Sequence, residues 1–289
     1  MAVVACRAGK TSGVLAERWR ALGIPARLLT PSAATSELER GDAALVRLDV
    51  LRTLDGIEPG LDAVRELQDR GVRVLNTAAA LACVHDKLAT ARALQAASLP
   101  APDWSHLAGH HRAVRFDLPV VVKPRFGSWG LDVSLCETQA ELDRCLLKAG
   151  QSSWFRRHGA MVEQYVASGG VDRRVLVAAG CVVGSIERVA APGEWRTNVS
   201  LGGSKRPAPP APDADALAVA AARACGIDFV GVDLIRSTQG WLVIELNGAV
   251  DFDAQYSLAG RDVFADIAGA LGLLAPSSTF VPAEAASSP

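Results

Sequence analysis

The sequence feature that most constrains the fold is a pair of apolar runs on either side of residue 239. Val, Ile and Leu predominate in residues 230–236 and 241–247, and turn-forming residues lie between the two runs. This spacing predicts an antiparallel hairpin with a three-residue loop that ends at Gly240. In that register Asp233 lies directly opposite Glu245.

The alternation of side chains along the predicted strands determines which residues share a face with this acidic pair. Residues two apart lie on one face, so Asn247 joins Glu245. The opposite face carries Val232, Leu234, Ile244 and Leu246. Like charges directly opposite each other repel, so the pair calls for a cation, and removal of one carboxylate is expected to relieve repulsion in the metal-free protein. Carboxylate and amide oxygens suit Mg²⁺. A surface hairpin with a solvated acidic pair is the alternative that the hairpin alone leaves open.

Composition narrows the classes of function. The 289 residues allow about two domains, and 49% apolar with 21% charged residues is typical of a soluble globular protein. A net charge of −1, without a basic run or an aromatic platform, argues against nucleic acid as a partner. We expect no membrane span, because no stretch approaches about 20 apolar residues, and no signal peptide, because the N-terminal residues lack its pattern.

The cysteines and histidines do not predict a metal site. The six cysteines, at positions 6, 83, 136, 145, 181 and 225, form no CxxC pair and favour reduced thiols in a cytoplasmic protein. His110-His111 has no ligand partner at metal spacing, so we expect an ordinary surface pair. Gly9-Lys10-Thr11 is similar to the end of a phosphate-binding P-loop, but the first glycine of that motif would fall on Val4.

Residues 1–82 alternate between strand-like and helix-like runs. The predicted strands are 3–6, 26–29, 43–48 and 72–75, and the predicted helices are 14–22 and 61–68. This alternation predicts a small parallel sheet with helices on its faces. Asn76-Thr77 can then cap a helix, and a further helix carries Asp86-Lys87 through Leu94 and ends before the proline-containing linker 99–102.

Residues 118–133 predict a second hairpin. A strand runs to Lys123-Pro124, a loop at 125–130 contains Gly127 and Gly130, and a further strand runs through Val133. The backbone N–H groups of such a loop could close over phosphate oxygens, while Lys123 supplies a point charge. Because a lysine is rarely buried without a partner, its place in an apolar strand favours this interpretation.

The C-terminal half continues with strands and polar breaks. The predicted strands are 160–166, 175–178 and 181–188, the predicted helices are 139–149, 214–225 and 262–271, and residues 275–289 are expected to form a disordered tail. The flexible break at 167–170 exposes backbone that can bond a purine edge. Arg196, in a polar stretch, suits an anion.

Six short pieces in a fixed order carry a resemblance to a known family. They are Asp86-Lys87, the Lys123 strand with its Gly127–Gly130 loop, Glu163-Gln164-Tyr165, Asp172-Arg173-Arg174, Arg196-Thr197-Asn198 before Gly202-Gly203, and Asp233 with Glu245-Leu246-Asn247. Together they resemble the ATP-grasp superfamily, and within it the RimK-type carboxylate–amine ligases that include the LysX enzymes. The likeness runs from about residue 43 to 270.

The resemblance implies an α/β fold of the ATP-grasp type with three parts and a tail. An N-terminal parallel α/β domain spans residues 1–82, and a central subdomain with the phosphate loop spans 83–166. A C-terminal subdomain with the metal site spans 167–274, and the tail spans 275–289. The two α+β subdomains are expected to clamp ATP between them.

The resemblance also implies roles for individual residues. The implied nucleotide contacts are Lys87, Lys123 and Ser128 at the phosphates, Glu163, Gln164 and Tyr165 at the adenine-facing hinge, Asp172 as an acidic contact, and Arg196, Thr197 and Asn198 near the terminal phosphate. The implied metal ligands are Asp233, Glu245 and Asn247, for one or two Mg²⁺ ions with Mn²⁺ as a substitute. Arg196 and Arg174 are the implied catalytic groups.

The implied activity is an ATP-dependent ligation of a carboxylate to an amine through an acyl phosphate, with ADP and phosphate released. After Asn247 this chain continues Gly-Ala-Val-Asp-Phe, which looks more like LysX than like the Ala-Ser-Pro-Gly of RimK proteins. Asp251 is expected either to bind the amino group of a substrate, while Arg174 or Arg188 binds a carboxylate, or to cap the following turn.

Several alternatives stay open from the sequence. The substrates are expected to be amino acids or peptides, or a carrier protein with a terminal carboxylate, as in a LysX-like ligase. A non-catalytic ATP-binding module is the rival from another class. A homo-oligomer is compatible with each of them.

Overall fold

The computed structural model of the protein describes residues 1–5, 10–108, 114 and 116–274. Some of the sequence predictions concern residues outside this set, namely Cys6, Gly9, the His110-His111 pair and the tail at 275–289. The five described cysteines are free thiols, as predicted. None of the described helices is long and apolar enough to cross a membrane.

The first sheet confirms the predicted alternation of strands and helices. Its four strands are parallel and stand in the order β2-β1-β3-β4. The elements are β1 (Ala2–Val4), α1 (Lys10–Ala21), β2 (Arg27–Leu29), α2 (Pro31–Glu37), β3 (Ala43–Val46), α3 (Leu61–Asp69) and β4 (Arg73–Leu75). The sequence missed α2, a short helix that begins with a proline and is capped by Thr30.

Two capped helices, α4 (Ala78–His85) and α5 (Lys87–Ala96), follow the first sheet. Thr77 caps α4, as predicted. Asp86 caps α5 by accepting a hydrogen bond from the Leu88 N–H at 3.0 Å. This cap fixes Lys87 as the first residue of α5, where its backbone N–H donates to the carbonyl of Arg125 at 3.1 Å.

The second sheet is antiparallel, with its strands in the order β5-β8-β6-β7. Its elements are β5 (Trp104–Leu107), β6 (Val120–Pro124), β7 (Ser134–Cys136), α6 (Gln139–Ala149), α7 (Ser153–His158) and β8 (Ala160–Gln164). The predicted strand through Val133 was wrong, because β7 begins at Ser134 and residues 131–133 belong to the loop. The sequence also missed β5 and α7, which are too short to show a clear period.

The third sheet holds five antiparallel strands in the order β11-β10-β9-β12-β13. They are β9 (Val171–Ala178), β10 (Cys181–Val189), β11 (Ser204–Pro207), β12 (Phe229–Ser237) and β13 (Gly240–Asn247), and the helices are α8 (Pro212–Ala224) and α9 (Val263–Ala270). Because β9 begins four residues earlier than predicted, Asp172 and Arg174 lie within the strand. The sequence missed β11, whose residues are mostly polar and carry no apolar signal.

Apolar cores cover both faces of the third sheet. Alternate residues of β9 enter different cores, since successive side chains of a strand point to opposite faces. Val175 and Val177 pack with α8, whereas Leu176 and Ala178 pack in the core that also contains residues of α1 and α9. The third sheet is therefore the central layer of the fold, and the first sheet and the C-terminal helix share one of its cores.

Asn76 joins the first sheet to the third. Its side chain is fully buried, and its backbone is left-handed, with φ at 62°. Its Nδ2 donates to the carbonyls of Phe229 at 2.9 Å and Val46 at 3.2 Å, and its Oδ1 accepts from the Phe229 N–H at 2.8 Å. One amide thus satisfies backbone groups at the end of β3 and the start of β12.

We expect the Asn76→Gly variant to lose about 2–4 kcal/mol of unfolding free energy, because buried backbone groups at Phe229 lose their partner. Glycine accepts the left-handed backbone, so the loss reports on the amide rather than on backbone strain. Urea unfolding measures the effect, with Gln95→Ala on the exposed face of α5 as the control. Equal stability of the two variants would contradict this role for Asn76.

Candidate functional site

A cleft lies between the second and third sheets. It holds roughly 970 Å³ of empty space, part of which is open to solvent, so its size suits a ligand as large as a nucleotide. Each residue that the sequence predicted for ATP or metal binding lines this cleft, except Asn247. Of the other predicted residues, Arg188 lines it, and Arg174 and Asp251 do not.

The β12–β13 hairpin pairs Asp233 with Glu245 as predicted, but the predicted three-residue loop was wrong. The turn has two residues, and the pairing is restored farther along the hairpin by a bulge in which Ile244 is the extra residue. The bulge turns Val243 toward the apolar core and leaves Ile244 in the cleft. The predicted place of Ile244 on the apolar face was therefore also wrong.

Asp233 is only 2% exposed and is bound by two arginines. Its carboxylate accepts from Nε and Nη2 of Arg174 at 2.6 and 2.7 Å, and from Nη2 of Arg188 at 2.7 Å. Burial by itself would raise the pKa of Asp233, but the attraction and hydrogen bonds of Arg174 and Arg188 outweigh it and lower that pKa. Asp233 is therefore an ionised carboxylate with guanidinium partners.

The same network extends to Asp172 on β9. Nε of Arg188 donates to Oδ1 of Asp172 at 2.8 Å, and Nη2 of Arg188 donates to Oδ2. Oγ1 of Thr197 donates to Oδ2 of Asp172 at 2.6 Å. The four side chains are thus linked in the order Asp172, Arg188, Asp233, Arg174. Carboxylates and guanidiniums alternate along this series, so their formal charges cancel.

The two predicted phosphate-binding lysines each have a carboxylate partner. Nζ of Lys87 lies 2.9 Å from Oε1 of Glu245, and Nζ of Lys123 lies 2.7 Å from Oε2 of Glu163. Lys123 is buried, and the carboxylate of Glu163 supplies the partner that a buried lysine needs.

The loop at 125–133 is held by the segment that joins β10 to β11. Nη1 of Arg196 donates to the carbonyls of Gly130 at 3.0 Å and Val133 at 3.3 Å. A Cβ atom on Gly130 would lie 2.9 Å from Oδ1 of Asn198, and the φ of Gly130 is 71°, so both the contact and the backbone favour glycine. Arg196 also binds Glu194, and its hydrogen bonds lower the pKa of that carboxyl to about 2.

The end of β8 forms another wall of the cleft. The Tyr165 N–H donates to the carbonyl of Pro119 at 3.0 Å, and the Tyr165 ring meets Trp195 edge to face at 5.9 Å. The sequence missed Trp195 and the apolar lining residues Val121, Leu131, Ile235 and Ile244. In a strand, an apolar residue that lines a cleft has the same sequence signal as one in a core.

Asn247 and Asp251 lie where the hairpin leads back to the first sheet. Oδ1 of Asn247 accepts from the Ala249 N–H at 3.0 Å. Oδ1 of Asp251 accepts from Oγ1 of Thr11 at 2.6 Å, whereas the turn that follows is capped by Asp253. The capping role offered for Asp251 was therefore wrong.

The cleft residues fit a magnesium ion that arrives with phosphate ligands. No group of three or more His, Cys, Asp or Glu among the described residues could hold a metal ion by itself. Glu245 lines the cleft, is 29% exposed at its side chain and is paired with Lys87. Mg²⁺ needs only one or two protein carboxylates when water and phosphate complete its octahedron.

Comparison with known proteins identifies the family. The family model described as a RimK-like ATP-grasp domain matches residues 101–271. The chain belongs to the RimK-like ATP-grasp family. A probable alpha-L-glutamate ligase of Pseudomonas paraeruginosa is 31% identical over 239 residues, which cover 78% of this chain and 74% of that relative. ATP-grasp proteins of this kind are ATP-dependent carboxylate–amine ligases, and they bind ATP together with magnesium.

Solved structures show the same ATP-grasp fold. A RimK-domain ATP-grasp protein of Sphaerobacter thermophilus matches with a TM-score of 0.67 and 22% identity, over 94% of this chain and 99% of that chain. A D-alanine–D-alanine ligase of Bacillus anthracis complexed with ATP matches with a TM-score of 0.64 and 17% identity, over 94% and 93% of the two chains. The predicted fold class is therefore confirmed.

The structure reverses one expectation for Asp233. Repulsion between Asp233 and Glu245 is outweighed by their cationic partners, so we expect Asp233→Asn to destabilise the protein by about 3 kcal/mol, since Arg174 and Arg188 stay buried with less negative charge. Urea unfolding of this variant, beside the exposed control Asp69→Asn, measures the loss. An unchanged or higher stability would show that repulsion dominates after all.

Proposed function

We propose that this protein uses Mg-ATP to join the carboxylate of one amino acid or peptide to the amine of another, through an acyl phosphate. The observation that carries the proposal is the pair of cleft lysines, Lys87 and Lys123, whose carboxylate partners can be replaced by phosphates. Two sheets that close on such a cleft give the arrangement that a nucleotide needs.

The nucleotide is proposed to lie along the second sheet. Its adenine faces the end of β8, where Glu163, Gln164 and Tyr165 line the cleft beside Trp195. Its phosphates meet Lys87 and Lys123 and lie under the loop that contains Ser128. Asp172 acts through Thr197, which it holds at the cleft wall, and Asn198 supports the loop at Gly130.

The metal site is proposed to form as the phosphates enter. When Lys87 leaves Glu245 for a phosphate oxygen, the freed carboxylate can bind Mg²⁺, with Asn247 and Asp233 as the other protein ligands. One or two magnesium ions would neutralise phosphate charge. Asp233 can take part only to the extent that Arg174 and Arg188 leave it a lone pair.

The proposed reaction has two steps. An oxygen of the substrate carboxylate attacks the γ-phosphorus, ADP leaves, and an acyl phosphate forms. The amine then attacks the acyl carbon, phosphate leaves, and the amine loses a proton to solvent as the amide forms. Arg196, fixed at the loop, would stabilise charge that develops in these steps, and Arg174, which does not line the cleft, would act through Asp233, which it holds in place.

The substrates are proposed to bind near the end of the hairpin. The name of the Pseudomonas relative makes glutamate the first amine to test. Asp251, held by Thr11 of the first sheet's domain, is suited to an α-ammonium group, and Arg188, which lines the cleft, is suited to a carboxylate. Three further points remain predictions from the sequence: a carrier protein as substrate, a homo-oligomeric state, and domain boundaries at residues 82, 166 and 274.

Product analysis tests the proposed reaction. The protein with Mg-ATP and a matrix of amino-acid and dipeptide pairs should release ADP and phosphate in step with an amide. The Glu245→Gln variant should lose at least about 100-fold in turnover, because it removes a charge that acts at the transferred phosphoryl group. Glu66→Gln, at an exposed position of α3, serves as the control.

Two results of this experiment would contradict the proposal. AMP and pyrophosphate formed in step with amide would mean that the carboxylate is activated by adenylation. Near-normal turnover by Glu245→Gln would remove Glu245 from the metal site.

A further inference from the structure

A segment between β3 and α3 leaves the first sheet and packs against the second. We call residues 49–58 the strap. An isolated bridge between Val50 and Ile57 closes it, and the Leu51 N–H donates to the carbonyl of Gly56 at 2.8 Å. Leu54, at the tip of the strap, is buried in the core of the second sheet rather than that of the first. The strap therefore connects the first sheet to the core of the second sheet.

The strap is also fixed to the last turn of α7. Oδ2 of Asp55 accepts from Nη1 of Arg157 at 2.9 Å, and the carbonyl of Asp55 lies 2.9 Å from Nε2 of His158. Together with the buried Leu54, these contacts give the strap a defined position beside the loop at 125–133. A side chain on the strap can then hold a neighbouring loop at little entropic cost.

Arg52 of the strap lies over the tip of that loop. Its guanidinium carbon is 4.0 Å from the centre of the Trp129 ring, well inside the range of a cation–π contact. Arg52 is exposed and forms no ion pair with another residue in the described part of the chain. The Trp129 ring is therefore the described partner of this cation.

Trp129 has an unusual backbone for a bulky residue. Its φ is 58°, in the left-handed region that side chains with a Cβ rarely adopt. Its carbonyl accepts from Oγ of Ser200 at 3.1 Å. The tip of the loop is thus held by the segment between β10 and β11 on one side and by the strap on the other, and these contacts compensate for the unfavourable backbone.

We propose that Arg52 is a positioning residue that, through Trp129, holds the loop at 125–133 closed over the phosphate side of the cleft. The loop then closes by docking between two parts of the protein as well as by contact with the nucleotide. The inference rests on the proposed function in one respect, namely that the loop covers ATP phosphates. The contact itself is independent of that function.

A double-mutant cycle tests the proposal. The variants are Arg52→Ala, Trp129→Asn and their combination, because asparagine tolerates the left-handed backbone and removes the ring. Arg52→Lys keeps a cation for the rescue experiment. Arg65→Ala, an exposed arginine on α3, is the matched control. Urea unfolding verifies that each variant is folded.

Two readouts separate positioning from simple packing. Hydrogen exchange at amides 127–133 without nucleotide should be about two- to fivefold faster in Arg52→Ala, the range of an exposed cation–π contact. The KM for ATP should rise by a similar factor, while kcat changes less than twofold. Arg52→Lys should recover most of both effects, and the double variant should match the single ones.

The outcomes distinguish this proposal from the proposed function. Loop exchange in Arg52→Ala equal to that in Arg65→Ala, or effects that multiply in the double variant, would overturn the role of Arg52. If the wild-type protein forms no ADP with any substrate pair, the ligase proposal fails, and the exchange experiment still decides whether Arg52 holds the loop.

Discussion

Charge balance within the third sheet is the constraint on which the site depends. Asp233 remains ionised at 2% exposure because Arg174 and Arg188 bind both of its oxygens. All three side chains project from neighbouring strands of one sheet, so the pairing of β9, β10 and β12 builds the balance into the fold. Removal of one partner from such a buried set costs about 3–5 kcal/mol. This network is therefore permanent.

The pairs at the cleft surface differ from this network in kind. The side chains of Lys87 and Glu245 are 11% and 29% exposed, so this pair lies nearer to solvent than the carboxylate of Asp233 does. In the proposed complex the phosphates take Lys87 and Lys123 from their carboxylate partners and leave the partners of Asp233 unchanged. The proposed site then combines two parts. One is the fixed ion-pair network of the third sheet, and the other is the two lysines, on β6 of the second sheet and on α5, whose carboxylate partners are exchanged for phosphates.

The sequence predicted the chemistry of the site better than its geometry. The register predicted about Gln239 placed Asp233 opposite Glu245, their like charge indicated a cation, and six short motifs in a fixed order indicated the family. The bulge at Ile244 could not be predicted, because two registers of the hairpin have nearly the same local signal and core packing selects one of them. Arginine partners for Asp233 were also missed, since residues 59 and 45 positions away meet only through sheet order. The strap was missed because its contacts are tertiary.

The most direct test of this account is a crystal structure with Mg²⁺ and a non-hydrolysable ATP analogue. We predict that Nζ of Lys87 moves from Glu245 to a phosphate oxygen within about 3 Å, that Glu245 binds the metal, and that Arg174 stays on Asp233. A complex in which Lys87 keeps its contact with Glu245 while the phosphates lie elsewhere would contradict the exchange of partners on which the account rests.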